Sequence, residues 1–95
     1  MDKQYFVYII TNERHSVLYT GVTNKLIRRA TEHREKIGAG FTKRYNAAKL
    51  VYYEIHNEPS VAIQREKAIK GGSKQKKVEL VVGMNPAWND LYDTV

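Results

Sequence analysis

Cysteine is absent from the chain, so neither a disulfide framework nor a thiolate metal site can form, which fits a reducing compartment. No stretch approaches the ~18 consecutive apolar residues of a membrane span. The first residues, MDKQYFVYII, lack the charged, apolar and cleavage segments of a secretory signal. Internal repeats, linkers and low-complexity segments are missing as well. The expectation is a soluble, cytoplasmic chain with one domain over residues 1–95. Acidic residues are also scarce, with ten Asp and Glu against sixteen Lys and Arg, a formal charge of +6. Such an excess biases encounters toward polyanions, nucleic acid foremost, although a merely soluble basic surface has the same sum. Position says more than the sum. Arg28 to Arg34, Thr42 to Arg44 and Lys70 to Lys77 are local basic clusters, while Asp90 and Asp93 lie near the C-terminus.

Ninety-five residues, 42% hydrophobic and 27% charged, have the ordinary globular balance and allow a modest core. One layer pair, a short sheet backed by helices, is what such a core can support. YFVYIIT (5–11) and VLYTGV (17–22) are aromatic and β-branched, and the polar NERHS between them predicts an antiparallel hairpin. Tyr5, Val7 and Ile9 fall on one face, Phe6, Tyr8 and Ile10 on the other. Thr23 and Asn24 are candidate N-caps for a helix to about Ile37, with Leu26, Ala30, His33 and Ile37 as its inward stripe and Gly38 and Gly40 as its stop. FTKRYNAAK (41–49) reads as a basic loop and LVYYEIH (50–56) as a third strand. Ser60 can cap a second helix to about Lys70, ended by Gly71 and Gly72, and a short third helix covers roughly 74–82. Pro86, Trp88 and Leu91 in the irregular tail can lie back on the body. The fold class is α+β, a small three-stranded antiparallel sheet flanked by helices.

Arg29 and His33 stand one turn apart on the first helix and project from one side. A histidine in an apolar stripe is more often a satisfied core residue than a catalyst, and an arginine near a helix start is usually solvated. Together they would still suit phosphate chemistry, because a guanidinium clamps phosphate and an imidazole relays protons. Glu66 falls in the arc of Ala62, Ile63 and Ile69, where a carboxylate needs a partner. An ion pair, a rim position and a Mg²⁺ ligand are all compatible with it, and Arg65 shares the arc. Of the seven tyrosines, most serve packing, but Tyr8 and Tyr19 belong to strands expected to pair, so their hydroxyls can converge. Lys70 to Lys77 reads equally as a phosphate grip or as a solvated helix start.

Set side by side, Phe6-Val7-Tyr8, Tyr19-Thr20-Gly21, Arg29, His33, Glu66 and Pro86-Ala87-Trp88-Asn89 resemble the GIY-YIG nuclease family, named for two tripeptides on paired strands. Within it, the small single-domain branch resembling the catalytic module of the excision-repair subunit UvrC is most similar, and the resemblance covers essentially the whole chain. Phe6 stands where the first glycine of the name would be, and Gly71 and Gly72 interrupt an expected helix continuation. The resemblance implies a metal-dependent endonuclease hydrolysing a phosphodiester in DNA, in repair or the processing of nicked or branched DNA. It implies Tyr19 as the water-activating phenol, Tyr8 beside it, Arg29 on the scissile phosphate and His33 one turn on. Glu66 would be the single ligand of Mg²⁺ or Mn²⁺, Asn89 would match the tail asparagine, and Gly21 would allow close packing between strand and helix. Lys25, Arg28, Arg34, Lys43, Arg44, Lys70, Lys74, Lys76 and Lys77 are the expected DNA contacts. The family's module usually works beside a targeting domain, so a protein partner or a homodimer is an expectation too. A nucleic-acid-binding module that keeps the fold without catalysis is the alternative.

Overall fold

Val7, Ile9, Ile10, Leu50 and Val51 have no exposed surface, and burying each contributes about 1.5–3 kcal/mol. These residues lie on two neighbouring strands, which fixes the sheet as the organising layer. The computed structural model describes residues 3–35 and 44–95. In chain order it contains β1 (Tyr5–Thr11), β2 (Leu18–Thr23), α1 (Leu26–Arg34), β3 (Lys49–His56), α2 (Pro59–Lys70), α3 (Lys74–Met84) and a 3₁₀ turn over Leu91–Thr94. The strands form one antiparallel sheet in the order β2-β1-β3. The α+β architecture and the three expected strands are therefore present.

β1 is central, and its alternation divides the core in two. Val7 and Ile9 pack with Tyr52, Ala62, Ile69 and Val81, which places α2 and α3 on that face. Tyr8 and Ile10 pack with Leu26, Ala30, Ala47 and Leu50, which places α1 on the other. The expected hairpin forms around Asn12, whose Oδ1 accepts from Ser16 N at 2.9 Å, with His15 in the left-handed region at φ 54°.

Helix ends depart from expectation in small, explicable ways. Lys25 takes the capping position of α1 without a side-chain bond, and Thr23 Oγ1 instead accepts from Lys25 N at 3.0 Å just before the helix. α1 ends at Arg34, short of Ile37; Ile37, Gly38, Gly40 and Lys43 lie outside the described residues. α2 begins at Pro59, so Ser60 is inside the helix rather than its cap. A proline suits that first position because its φ is preset and its missing N–H would be unpaired there anyway. Gly71 follows α2 with right-handed backbone (φ −79°), so the glycine pair ends the helix without a left-handed cap. α3 runs to Met84, and Ser73 caps it by accepting from Lys76 N at 3.2 Å.

The tail is fastened to the sheet by an asparagine. Pairing passes from Ile9↔Tyr52 to Ile10↔Leu50, so Val51 is an unpaired bulge residue in a fully buried setting. Asn85, 5% exposed, donates from Nδ2 to Val51 O at 3.1 Å and to Asn89 O at 2.8 Å, and its Oδ1 accepts from Asn89 N at 3.1 Å. Asp90 Oδ1 accepts from Leu50 N at 3.2 Å. Trp88, itself left-handed at φ 56°, stacks on His15 with centroids 4.3 Å apart. An Asn85→Ala variant should lose on the order of 1–3 kcal/mol, because a buried carbonyl is left unpaired. Asn89→Ala, at an exposed position engaged through its backbone, should stay within about 0.5 kcal/mol of wild type. Urea unfolding of the two variants checks the contrast.

Candidate active site

The β1–β2 ladder brings Tyr8 directly opposite Gly21, and Tyr19 opposite Ile10. Tyr8 and Tyr19 thus share a sheet face diagonally, with ring centroids 6.4 Å apart. The hydroxyl end of the Tyr8 ring lies directly over Gly21. A Cβ built on that glycine would stand 2.4 Å from the Tyr8 hydroxyl oxygen and 2.5 Å from Cζ. No side chain fits there, so the glycine is required by the tyrosine above it rather than by its own backbone angles. The close packing at Gly21 is therefore between two strands rather than between strand and helix as expected, because Tyr8 is its partner across the ladder.

α1 then lowers its buried stripe of Leu26, Ala30 and His33 onto this face. His33, 2% exposed, reaches the Tyr8 hydroxyl through Nε2 at 3.1 Å. One turn earlier, Arg29 approaches the same hydroxyl closely enough to act on its electrostatics, and its Nη1 donates to Glu32 Oε1 at 2.9 Å. An arginine can only donate, so the Tyr8 oxygen turns its lone pairs toward that charge and its proton toward His33 Nε2. The protonation states agree with that assignment. Burial pushes the Tyr8 phenol up to about 12, keeping it protonated. Burial and the Arg29 charge hold the His33 imidazole below its ordinary value, keeping it neutral. Tyr19, half-buried, completes the cluster with its ring 5.4 Å from that of His33. Arg29 keeps 41% of its side-chain surface exposed, so its outer edge is open to a phosphate.

Glu66 comes from the opposite layer. Its side chain is only 14% exposed on α2, and Lys70 Nζ lies 3.6 Å from its Oε2. The same ammonium stands over the Tyr19 ring, 5.8 Å from the centroid. The path from Glu66 through Lys70 to Tyr19 links the helix on one face to the strand residue on the other. Arg65, its neighbour on the helical wheel, is drawn elsewhere: its Nε donates to Glu54 Oε1 at 2.8 Å.

Sequence reasoning did not isolate Glu54. It gathers Tyr52, His56 and Arg65. Burial alone would raise the Glu54 carboxyl, but hydrogen bonds from these three hold it below the ordinary carboxylate range. Burial and the same carboxylate push Tyr52 up to about 12. Tyr52, Glu54 and His56 alternate on one strand face, a spacing visible in the sequence, whereas the arrival of Arg65 from α2 was not. Asn85 was missed as well; the Asn-Pro dipeptide is a turn signal that marks its place but not its burial.

The expected basic residues separate by what they already hold. Arg34 donates to Asp90 Oδ2 at 2.6 Å and lies 4.0 Å over the Tyr92 ring. Lys74 donates to Ser16 O at 2.9 Å, tying α3 to the hairpin turn. Arg28 pairs with Glu32 at 3.5 Å while staying 69% exposed. Lys25 is exposed beside it. Arg44 sits 5.5 Å over the Tyr45 ring. Lys76 and Lys77 line a groove of about 490 Å³ between α2 and α3, which face the sheet opposite α1. Asn89 enters the structure through its backbone bonds to Asn85.

Two consequences are measurable. Gly21→Ala should lower stability by about 1–3 kcal/mol, and Tyr8→Phe should not rescue it, since Cζ clashes as well as the oxygen; thermal unfolding of the single and double variants tests this. His33, depressed in the fold, should make stability fall as the pH drops through about 6.5, where the unfolded chain takes up a proton that the folded chain refuses. His33→Gln should flatten that part of a melting-temperature profile. His15, also depressed by burial and by Lys49, acts in the same window and calls for a His15→Gln control, whereas loss of the Glu54 contribution begins only below about pH 4.3.

Known proteins are similar in sequence and in fold. The profile of the GIY-YIG catalytic domain matches residues 4–79. A UPF0213 protein of Staphylococcus saprophyticus is 40% identical over 85% of this chain and 96% of its own length. One from Haloquadratum walsbyi is 36% identical over 84% of this chain and 89% of its own. The solution NMR structure of a UPF0213 protein from Bacillus halodurans superposes with a TM-score of 0.58, at 28% identity and 92% coverage of both chains. With the catalytic-domain profile spanning both strands of the hairpin, α1 and α2, the chain belongs to the GIY-YIG family.

Proposed function

We propose that the protein is a divalent-metal-dependent endonuclease that hydrolyses DNA phosphodiesters, acting in repair or on structured DNA in the cytoplasm. One observation carries this reading above the rest: a part-exposed arginine and a buried histidine converge on a single buried tyrosine hydroxyl. Such a relay holds a guanidinium in one orientation before substrate arrives, and preorganised charge is what stabilises a developing phosphorane. Tyr8, raised to about 12, is too weak an acid at neutral pH to serve as base, so the water-activating role falls to Tyr19. Tyr8 positions Arg29, and Arg29 grips the scissile phosphate.

Glu66 fits the metal role on its own chemistry. It is a largely buried carboxylate paired only loosely with a cation, whereas Glu54, Glu32 and Asp90 are each held by several donors. Among the described residues no group of three His, Asp or Glu side chains can hold an ion. A single carboxylate suits Mg²⁺ or Mn²⁺, which complete their shells with water and phosphate oxygens. When bound there, the ion would supply Lewis-acid stabilisation of the phosphate and leaving oxygen. The exposed Lys25, Arg28 and Arg44 would meet the flanking backbone.

Labelled nicked, branched and linear DNA, incubated with Mg²⁺, Mn²⁺ or EDTA, tests the reading. Cutting should require metal, and Arg29→Ala and Tyr19→Phe should each reduce it on the order of 10²–10³-fold, with Glu66→Ala inactive and all variants folded. EDTA-resistant cutting, or cutting that survives Arg29→Ala and Glu66→Ala, would sink the proposal. Salt-dependent binding without cleavage on every substrate would identify a binding module instead.

A further inference from the structure

Glu66 and Lys70 are one turn apart on α2, yet they differ sharply in setting: the Glu66 side chain is 14% exposed and that of Lys70 59%. The lysine therefore reaches inward from solvent to put its ammonium beside the carboxylate and over Tyr19. At 3.6 Å the contact is longer than a charge-assisted hydrogen bond, so it is a loose Coulombic pairing of a flexible side chain. No other cation is given to this carboxylate among the described residues, in contrast to Glu32 with two arginines. A divalent ion on Glu66 would lie within a few ångströms of that ammonium, and like charges at such a distance repel. The two cations therefore compete for the carboxylate.

We propose that Lys70 is the resident cation of the site: it neutralises Glu66 until a divalent ion takes the carboxylate, and the displaced ammonium turns to a DNA phosphate. This rests on Glu66 being the metal ligand. Lys70 is then a positioning residue with two partners in succession. Metal releases the lysine for DNA, and DNA draws the lysine from the carboxylate, so by linkage each ligand tightens the other. Its contact with Tyr19 means that the exchange also clears the phenol expected to activate water. The pairing gives Lys70 a different part from that of Lys76 and Lys77, which stand at the α2–α3 groove.

Mn²⁺ binding to the whole chain without DNA, followed by electron paramagnetic resonance, tests this on wild type, Lys70→Gln and Glu66→Gln. Lys70→Gln should bind Mn²⁺ about two- to fivefold more tightly, the worth of an exposed ion pair, and Glu66→Gln at least tenfold more weakly. In wild type, a Mg²⁺ titration followed by NMR should move the Lys70 Hε resonances away from their Tyr19-shifted positions. Unchanged Mn²⁺ binding in Glu66→Gln overturns the metal assignment and the lysine exchange with it. Weak binding in Glu66→Gln with no gain in Lys70→Gln, or Lys70 resonances unmoved at Mg²⁺ saturation, overturns the exchange alone.

Discussion

The Tyr8 ring resting on Gly21 is the contact on which the rest of the site depends. It exists because the two residues face each other across an antiparallel ladder and because one of them has no side chain. With the ring seated there, its hydroxyl ends beneath α1, within reach of Arg29 and His33. Any larger residue at position 21 would lift the phenol, and the helix would have nothing at that depth to bond. A backbone vacancy on β2 thus sets the orientation of a cation on α1. Burial then completes the arrangement, since a buried phenol stays protonated and a buried imidazole beside an arginine stays neutral.

Charge is distributed by commitment rather than by count. Arg34, Arg65 and Lys74 hold the fold together through Asp90, Glu54 and the hairpin turn. Exposed pairs of this kind are worth little singly, but each joins elements distant in the chain, and Arg65 closes a buried-sided cluster. Among the cations left outward, Lys25 and Arg28 lie beside Arg29 at the start of the helix that carries the site. A net charge of +6 therefore understates how local the basic character is.

The sheet's outer strand is protected by the tail. The bulge at Val51 frees a carbonyl in a fully buried position, and Asn85 and Asp90 take up the Val51 carbonyl and the Leu50 amide. Without them an edge strand would present open hydrogen-bonding groups to other chains. Of the tail residues expected to lie back on the body, Trp88 does so through its ring on His15 and Leu91 against the α1-side core, whereas Pro86 is exposed.

Short-range rules were enough for much of this. Period-two alternation in 5–11 and the stripe of Leu26, Ala30 and His33 depend only on local geometry, so strands, helices and their inward faces could be read from the sequence. The site residues on α1 and the hairpin were legible for the same reason, since they sit on elements whose period fixes their direction. Helix ends were read less well, because Pro59 starts α2 one residue before Ser60 and because Thr23, Asn24 and Lys25 are neighbours competing for one cap. What only the tertiary structure decided were contacts between residues far apart in the chain: Tyr8 with His33, Arg65 with Glu54, Asn85 with Val51. Glu66 shows the boundary. Its sequence position left an ion pair and a metal ligand equally open, and only the packing of α2 against β2 put Lys70 between that carboxylate and Tyr19. Pairings of this kind depend on how layers meet, and no periodicity along the chain encodes that.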